Sequence, residues 1–404
     1  MDNDRRNWLK LLDVVAVAGI ILGLAFLAIS SVKRGSRFSQ RLQCQNNMRQ
    51  VGLGLMGFSN ARNAYPNAGT FLDDPVTHKG DPAKSSIYPF VADPRGAGGD
   101  TTALLKNWVV DILPYIDEQE MYNAWNFELD YFNASSSSAL LSNSQLTTTS
   151  IGILRCVEDE TAVNGQGNLS YAVNGGFVRW PAASFSWRGS RLDGASTSGP
   201  PLQWATTGAD WREYQSVGQK LGVMFLGTHT GDQPWDIKTR PADITDGAAQ
   251  TLLVGENTLV GYSPGDTPYT KKRETNWACP LPSFVMFLGS DNICQSENST
   301  TDCLAGQLRR GASGADGLGW LKSNFAGTFE NLGFGRELAA EGSHPYVNSH
   351  HPDGSNFFFC DGAVRFVPDS IDGIVYSKLL TPAGEALAEG IRQTPLMDLH
   401  DHLP

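Results

Sequence analysis

The sequence has no CxxC pair and no close quartet of cysteine and histidine, no G-x-S-x-G, no H-E-x-x-H and no Walker loop. The local signatures of a zinc ribbon, a serine hydrolase of the α/β type, a zincin and a P-loop nucleotidase are therefore all missing. No cofactor-binding motif stands in their place, and none is expected. Basic residues are outnumbered, with 31 Lys and Arg against 42 Asp and Glu and a net charge of −11. Nothing outside residues 33–49 concentrates Lys and Arg, so a nucleic-acid partner is not expected. Helix-favouring sequence is scarce beyond the first sixty residues, where 43 Gly, 21 Pro and many Asn, Ser, Thr and aromatic residues in the whole chain suit turn-dense sheets. Strands and loops are the prediction there.

A long hydrophobic run occurs once, from Leu11 to Val32. As a helix it would span roughly 33 Å, enough for the hydrocarbon core of a bilayer. Only Asp13 is charged within it, and Ser30, Ser31, Val32, Lys33 and Arg34 beyond it offer no A-x-A cleavage site, so it reads as an uncleaved anchor and not as a signal peptide. Arg5, Arg6 and Lys10 on one side face Lys33, Arg34, Arg37 and Arg41 on the other, and charge alone leaves its orientation open. Beyond it Phe38, Leu42, Met48, Val51, Leu55 and Phe58 recur at helical spacing, which continues the helix to about Asn60. Gly52, Gly54 and Gly57 are poor helix residues, so either the helix frays there or a sheet packs closely against it.

Six cysteines lie at 44, 156, 279, 294, 303 and 360. Outside the cytoplasm they would form disulfides, and Cys294 with Cys303 could close a short loop. Fifteen pairings are possible, and spacing does not choose among them.

The densest polar cluster runs from His344 through His350, His351 and Asp353. As a metal site it would use His350 and His351 with Asp353 or Asp361 as ligands. We prefer a structural reading. Asn356 to Val367 has the pattern of a hairpin in which Asp361-Gly362 makes a two-residue turn, Phe357 and Phe359 share one face, and Phe358 and Cys360 share the other. The carboxylates Asp117-Glu118 and Glu158-Asp159-Glu160 are adjacent in sequence and read as solvated charges, not as a glycosidase pair. Asp243 to Glu256 reads as a turn at Asp246-Gly247 followed by a buried strand. Trp180, Trp187, Trp204 and Trp211 fall in a Gly/Ser-rich insertion at about 179–214, which reads as a loop subdomain with an aromatic core.

A membrane helix running into an amphipathic half and then a β-rich domain is the plan of type IV pilins and type II secretion pseudopilins. The segment from Arg5-Arg6 through Cys44, Asn46, Asn47 and Gly52 resembles a large bacterial group of pilin-like, major-pseudopilin-like proteins whose ectodomain is a domain of unknown function (1559). Trp108 to Asn126, Ile153 to Cys156, Ser170 to Gly176 with Asn174 and Gly175, Asp243 to Glu256 with Asp246 and Gly247, and finally His351 with Asp361-Gly362 nine residues on resemble its further motifs, in order. The resemblance implies a signal cut after a glycine and a glutamate five residues beyond it. Counting back from Cys44 without gaps puts Trp8 at the glycine, Leu9 at the new N-terminus and Asp13 at the glutamate. Trp is the bulkiest possible replacement for Gly, which argues against processing and against filament assembly.

The expectation is an α+β, pilin-like architecture: a cytoplasmic tail (1–10), a transmembrane helix (11–32), its exposed continuation (33–60), an ectodomain with an antiparallel sheet (61–382) including the hairpin 351–367, and a C-terminal tail (383–404). Leu42, Met48, Val51 and Leu55 should lie on the sheet. The expected function is non-enzymatic: a single-pass protein of the cytoplasmic membrane, anchored in the bilayer through 11–32, with its bulk on the periplasmic or extracellular side and other pilin-like subunits or envelope proteins as partners. A periplasmic glycan- or peptide-binding module is the alternative, and a metal-dependent hydrolase centred on His350 and His351 a more distant one.

Overall fold

A computed structural model describes the chain except residues 1, 74, 93–98, 136–140, 183–210, 266–273, 291–292, 294–317, 329, 338–344, 389–390, 398, 400–401 and 404; within the first helix, side chains are described at 8, 15–20 and from 38 onward. That helix, α1 (Asp2–Arg62), is continuous over 61 residues. It ends where Asn63 takes a left-handed φ of 53°, a conformation Asn tolerates at a helix terminus, and Pro66 follows close behind. Among the described residues no helix is long and apolar enough to cross a membrane. Most side chains of the 11–32 run, Asp13 among them, lie outside the described set.

The second half of α1 packs on the ectodomain through Cys44, Met48, Val51, Leu55 and Ser59, all buried and spaced to form one stripe. Leu42, expected in that stripe, is 43% exposed. Two residues before Cys44, it points about 200° away around the helix. The glycines serve close packing and not fraying. A Cβ on Gly52 would stand 2.4 Å from the Phe358 ring, one on Gly54 2.8 Å from Ile116, and one on Gly57 2.8 Å from Tyr115.

Among the described residues, eight short strands form two sheets. β1 (Gly69–Phe71), β2 (Leu104–Asn107) and β4 (Gly227–Thr228) make a sheet of order β2-β1-β4. β3 (Tyr171–Asn174), β5 (Leu252–Glu256), β6 (Met286–Phe287), β7 (Gly354–Phe359) and β8 (Val364–Pro368) make the larger one, of order β6-β3-β5-β7-β8. The expected antiparallel sheet is in fact mixed: β1 pairs parallel with β4, and β3 parallel with β6. Both partners arrive after long excursions and not through hairpins, and only such crossovers allow parallel pairing. Single 3-10 turns are frequent between the strands, so the Gly- and Pro-rich sequence breaks up helix and strand alike.

β7 and β8 form the anticipated hairpin, but its bend differs. Gly362 N–H bonds Phe359 O at 3.0 Å and Gly362 takes φ 89°, so Cys360 and Asp361 are the central turn residues and Gly362 is the left-handed residue after them. Phe358 faces Gly52 of α1. Phe357 faces the other way, edge-on to Phe287 and to Tyr376 of the helix Gly373–Leu380. Helices therefore cover the sheet on both faces.

Within the insertion, Trp187 and Trp204 lie outside the described residues. At its ends Trp180 and Trp211 both pack edge-on to the buried Trp235, an aromatic core of the kind read from the sequence. The C-terminal segment packs into the body: Leu387 and Ile391 are buried, and Thr381 Oγ1 donates to Gln393 Oε1 at 2.6 Å.

Candidate functional site

Four sequence motifs far apart in the chain meet at one point beneath α1. Cys44 comes from the helix, Cys156 from the turn after the 3-10 segment Gly152–Leu154, Glu256 from the end of β5, and His351 from the approach to β7. All four are buried, and one ligand-capable atom from each lies within 4.8 Å of the others. Cys44 and Cys156 are joined as a disulfide, with Cα atoms 4.7 Å apart across a sequence separation of 112. It ties the helix to the ectodomain.

His351 is held between two carboxylates. Its Nε2 is 3.1 Å from Glu256 Oε1 and 3.5 Å from Cys156 Sγ. Its Nδ1 makes a charge contact of 2.6 Å with Glu158 Oε2 without an aligned hydrogen bond. Burial pushes the imidazole pKa down, but the hydrogen bond and charge of Glu256 and the charge of Glu158 outweigh it, leaving the value raised despite nearby Arg41. Glu256 is fixed in turn: Asn356 N donates to its Oε2 at 2.7 Å and Asn356 Nδ2 to its Oε1 at 3.0 Å. Gln45 Nε2 donates to Asn356 Oδ1 at 3.0 Å. A polar chain thus runs from Gln45, at the lip of an open groove of about 440 Å³ beside Arg41 and Phe366, inward to His351. At the groove Arg41 stacks 3.5 Å over the Phe366 ring, and burial lowers its pKa against the opposing charges of Glu256 and Glu158.

The reading of Glu158-Asp159-Glu160 as solvated charges is overturned for the first two. The Glu158 side chain is 11% exposed and that of Asp159 1%. Asp159 accepts from Ser170 Oγ at 2.5 Å and Thr161 Oγ1 at 2.6 Å, and burial raises its pKa against those bonds. The missed signal was proximity: a residue two positions beyond a disulfide cysteine is carried into the site with it. Asn356 and Arg41 were missed as well, since nothing local marks them. The ligand set read from sequence does not assemble. His350 turns to Asp159, at 4.0 Å, and accepts from Glu160 N–H at 3.3 Å. Asp361 pairs with Arg365 at the hairpin tip, whose bonds hold its pKa low against the effect of burial. Asp353 takes a left-handed φ of 64° on the surface.

A family model described as a protein of unknown function (DUF1559) matches residues 39–373. The chain belongs to the DUF1559 family. No curated protein and no solved structure matches it.

The other motif residues of this DUF1559 chain shape the backbone around the cluster. Asn47 Nδ2 donates to Arg155 O at 2.8 Å, pinning the Cys156 turn to α1, whereas Asn46 faces solvent. Asn174 Nδ2 donates to Leu252 O at 2.7 Å and Leu380 O at 2.8 Å, and Gly175 packs so tightly that a Cβ would meet Met286 at 2.8 Å. Asp246 accepts from Gly384 N–H at 2.5 Å, and Gly247 turns the chain into β5 with φ 108°. Trp8 is 61% exposed. The side chains of Leu9 and Asp13 lie outside the described set.

Proposed function

We propose that this DUF1559 protein is a membrane-anchored, pilin-like protein of the cell envelope that acts through protein contacts and not through turnover of a substrate. One observation carries the reading: α1 is continuous over 61 residues, its second half is cross-linked to the ectodomain through Cys44, and its first half exposes Val15, Val17 and Ile20 at 62%, 55% and 63%. An unpartnered apolar helix face in water is unfavourable by about 25 cal/mol per Å². A bilayer removes that penalty, and a rigid stalk then presents the ectodomain away from the surface. The complete burial of His351 supports a structural role for the polar cluster, because catalysis needs groups that a substrate can reach.

The resemblance to pseudopilins gives the anchor a descent, and Trp8 at the position of the cleavage glycine makes an unprocessed form the expected one. The test is fractionation of native membranes followed by mass mapping of the N-terminal region. The reading predicts a protein that resists carbonate extraction and yields a peptide spanning the intact Trp8–Leu9 bond. Recovery in the soluble fraction overturns the anchor. An N-methylated Leu9 terminus overturns the unprocessed form and restores a filament subunit.

A further inference from the structure

We propose that Cys44, Cys156, Glu256 and His351 form a redox-gated site for a thiophilic divalent cation of the zinc type, filled when the cysteines are thiolates and closed when they join as a disulfide. The donor set of two sulfurs, one imidazole and one carboxylate is one that Zn²⁺ accepts. Bonds of about 2.0–2.2 Å to nitrogen and oxygen and about 2.3 Å to sulfur, at tetrahedral angles, set nitrogen and sulfur roughly 3.5 Å apart and nitrogen and oxygen roughly 3.4 Å apart. Nε2 of His351 already lies 3.5 Å from Cys156 Sγ and 3.1 Å from Glu256 Oε1. All four ligand atoms lie within 4.8 Å of one another, and the sulfur–sulfur edge must open to roughly 3.8 Å on the same geometry.

The surroundings fit a ligand shell. A metal-bound histidine is normally steadied at its other ring nitrogen by a carboxylate, and a ligating carboxylate is itself hydrogen-bonded. Glu158 stands 2.6 Å from His351 Nδ1, and Asn356 holds both oxygens of Glu256. Val157 N–H donates to Cys44 Sγ at 3.1 Å, a bond that favours a thiolate. All four ligands are buried, so water competes weakly for the ion.

The exchange balances. A dithiol of the thioredoxin class gives two electrons and two protons to the Cys44–Cys156 disulfide and becomes a disulfide itself. The two thiols then lose their protons as the cation binds. In the reverse direction a partner disulfide takes both electrons from the two thiolates and two protons from water to become a dithiol, the Cys44–Cys156 bond re-forms, and the cation leaves.

The test uses the full-length protein in detergent, reduced anaerobically with a phosphine and titrated with Co²⁺. The expected result is one equivalent bound, with thiolate-to-cobalt charge transfer in the near ultraviolet, tetrahedral ligand-field bands in the red, and displacement by Zn²⁺. The oxidised protein should give neither band, and Cys156→Ser should lose the charge-transfer intensity of one thiolate. Glu158→Gln, which positions His351 without ligating, should weaken binding roughly 10- to 100-fold while keeping the tetrahedral spectrum. Absence of the bands in the reduced wild type overturns the site, as does equal binding by the oxidised form. Circular dichroism of the reduced protein is the control: loss of its fold, with or without cation, also overturns the proposal, which requires a folded thiol state.

Discussion

Replacing Gly52 by Ala is the sharpest test of how α1 meets the sheet. In an isolated helix the change is favourable by about 1 kcal/mol, because Ala restricts the unfolded chain more than Gly does. Here the new Cβ would stand 2.4 Å from three atoms of the Phe358 ring, more than about 1 Å inside ordinary carbon contact. The ring is fully buried and belongs to β7, which is paired on both sides with β5 and β8. It has nowhere to turn. The helix must lift instead, loosening Met48, Val51 and Leu55 while the disulfide holds Cys44 in place, at an overpacking cost of about 3 kcal/mol. The balance is a loss of about 2 kcal/mol after the helix gain is subtracted. For a body of this size, with an unfolding entropy of about 2.1 cal/mol/K per residue, that lowers Tm by roughly 2–3 °C. Near-ultraviolet circular dichroism melts of the full chain measure it. Gly152→Ala is the control, since nothing stands within 4 Å of its Cβ, and it should stay within about 0.5 kcal/mol of wild type. A Gly52→Ala protein as stable as wild type would refute the close approach. Combining Gly52→Ala with Phe358→Leu should give a coupling of at least about 1 kcal/mol, because the smaller side chain relieves the clash.

Three further outcomes follow from the site and its surroundings. Glu256→Gln removes the buried negative charge beside His351 and turns one of the two accepting oxygens into an NH2 group, leaving a donor of Asn356 or His351 unpaired, and should destabilise the protein by about 3 kcal/mol in a denaturant titration; a change below about 1 kcal/mol would mean the pair is not desolvated. Under non-reducing digestion after native alkylation, Cys44 and Cys156 should appear as one linked peptide, and Cys279 and Cys360 should remain unalkylated, being buried, with the Cys360 thiol pushed up to about 12 by burial. Labelling of Cys360 in the native protein would contradict that burial. Asp246 is raised from 3.8 to about 6, first by burial, which outweighs the N–H bonds from Gly384 and Glu385. Between those values the folded chain binds more protons than the unfolded one, so stability should fall as pH rises through the window, by an amount on the order of 1 kcal/mol once partial exposure is discounted. Asp246→Asn should flatten that slope, and an unchanged slope would assign it elsewhere.

The helix was legible because its signal is local. Met48, Val51 and Leu55 repeat at 3.6-residue spacing, and Asn63 and Pro66 end the run within a few residues of the predicted Asn60. The hairpin was legible for the same reason, with alternating Phe357 and Phe358 and a Gly at its turn, although the bend falls one residue earlier than the Asp-Gly pair suggests. The parallel pairs β1–β4 and β3–β6 were not legible. Each joins strands of two to four residues, too short to carry a period and separated by segments whose path depends on the whole core.

The cluster divides the two kinds of information most clearly. The sequence alone determined that Cys44, Cys156, Glu256 and His351 belong to separate motifs and that the chain carries one long hydrophobic run. It left fifteen cysteine pairings open and sorted Glu158 and Asp159 as surface charges. Only tertiary structure could decide that Cys44 pairs with Cys156, that Glu158 and Glu256 flank one imidazole, and that Asp361 stays at the hairpin tip with Arg365. Periodicity is a property of neighbours a few residues apart, which a chain displays before it folds. A contact across 95 or 195 residues exists only once loop closure and burial have brought the segments together.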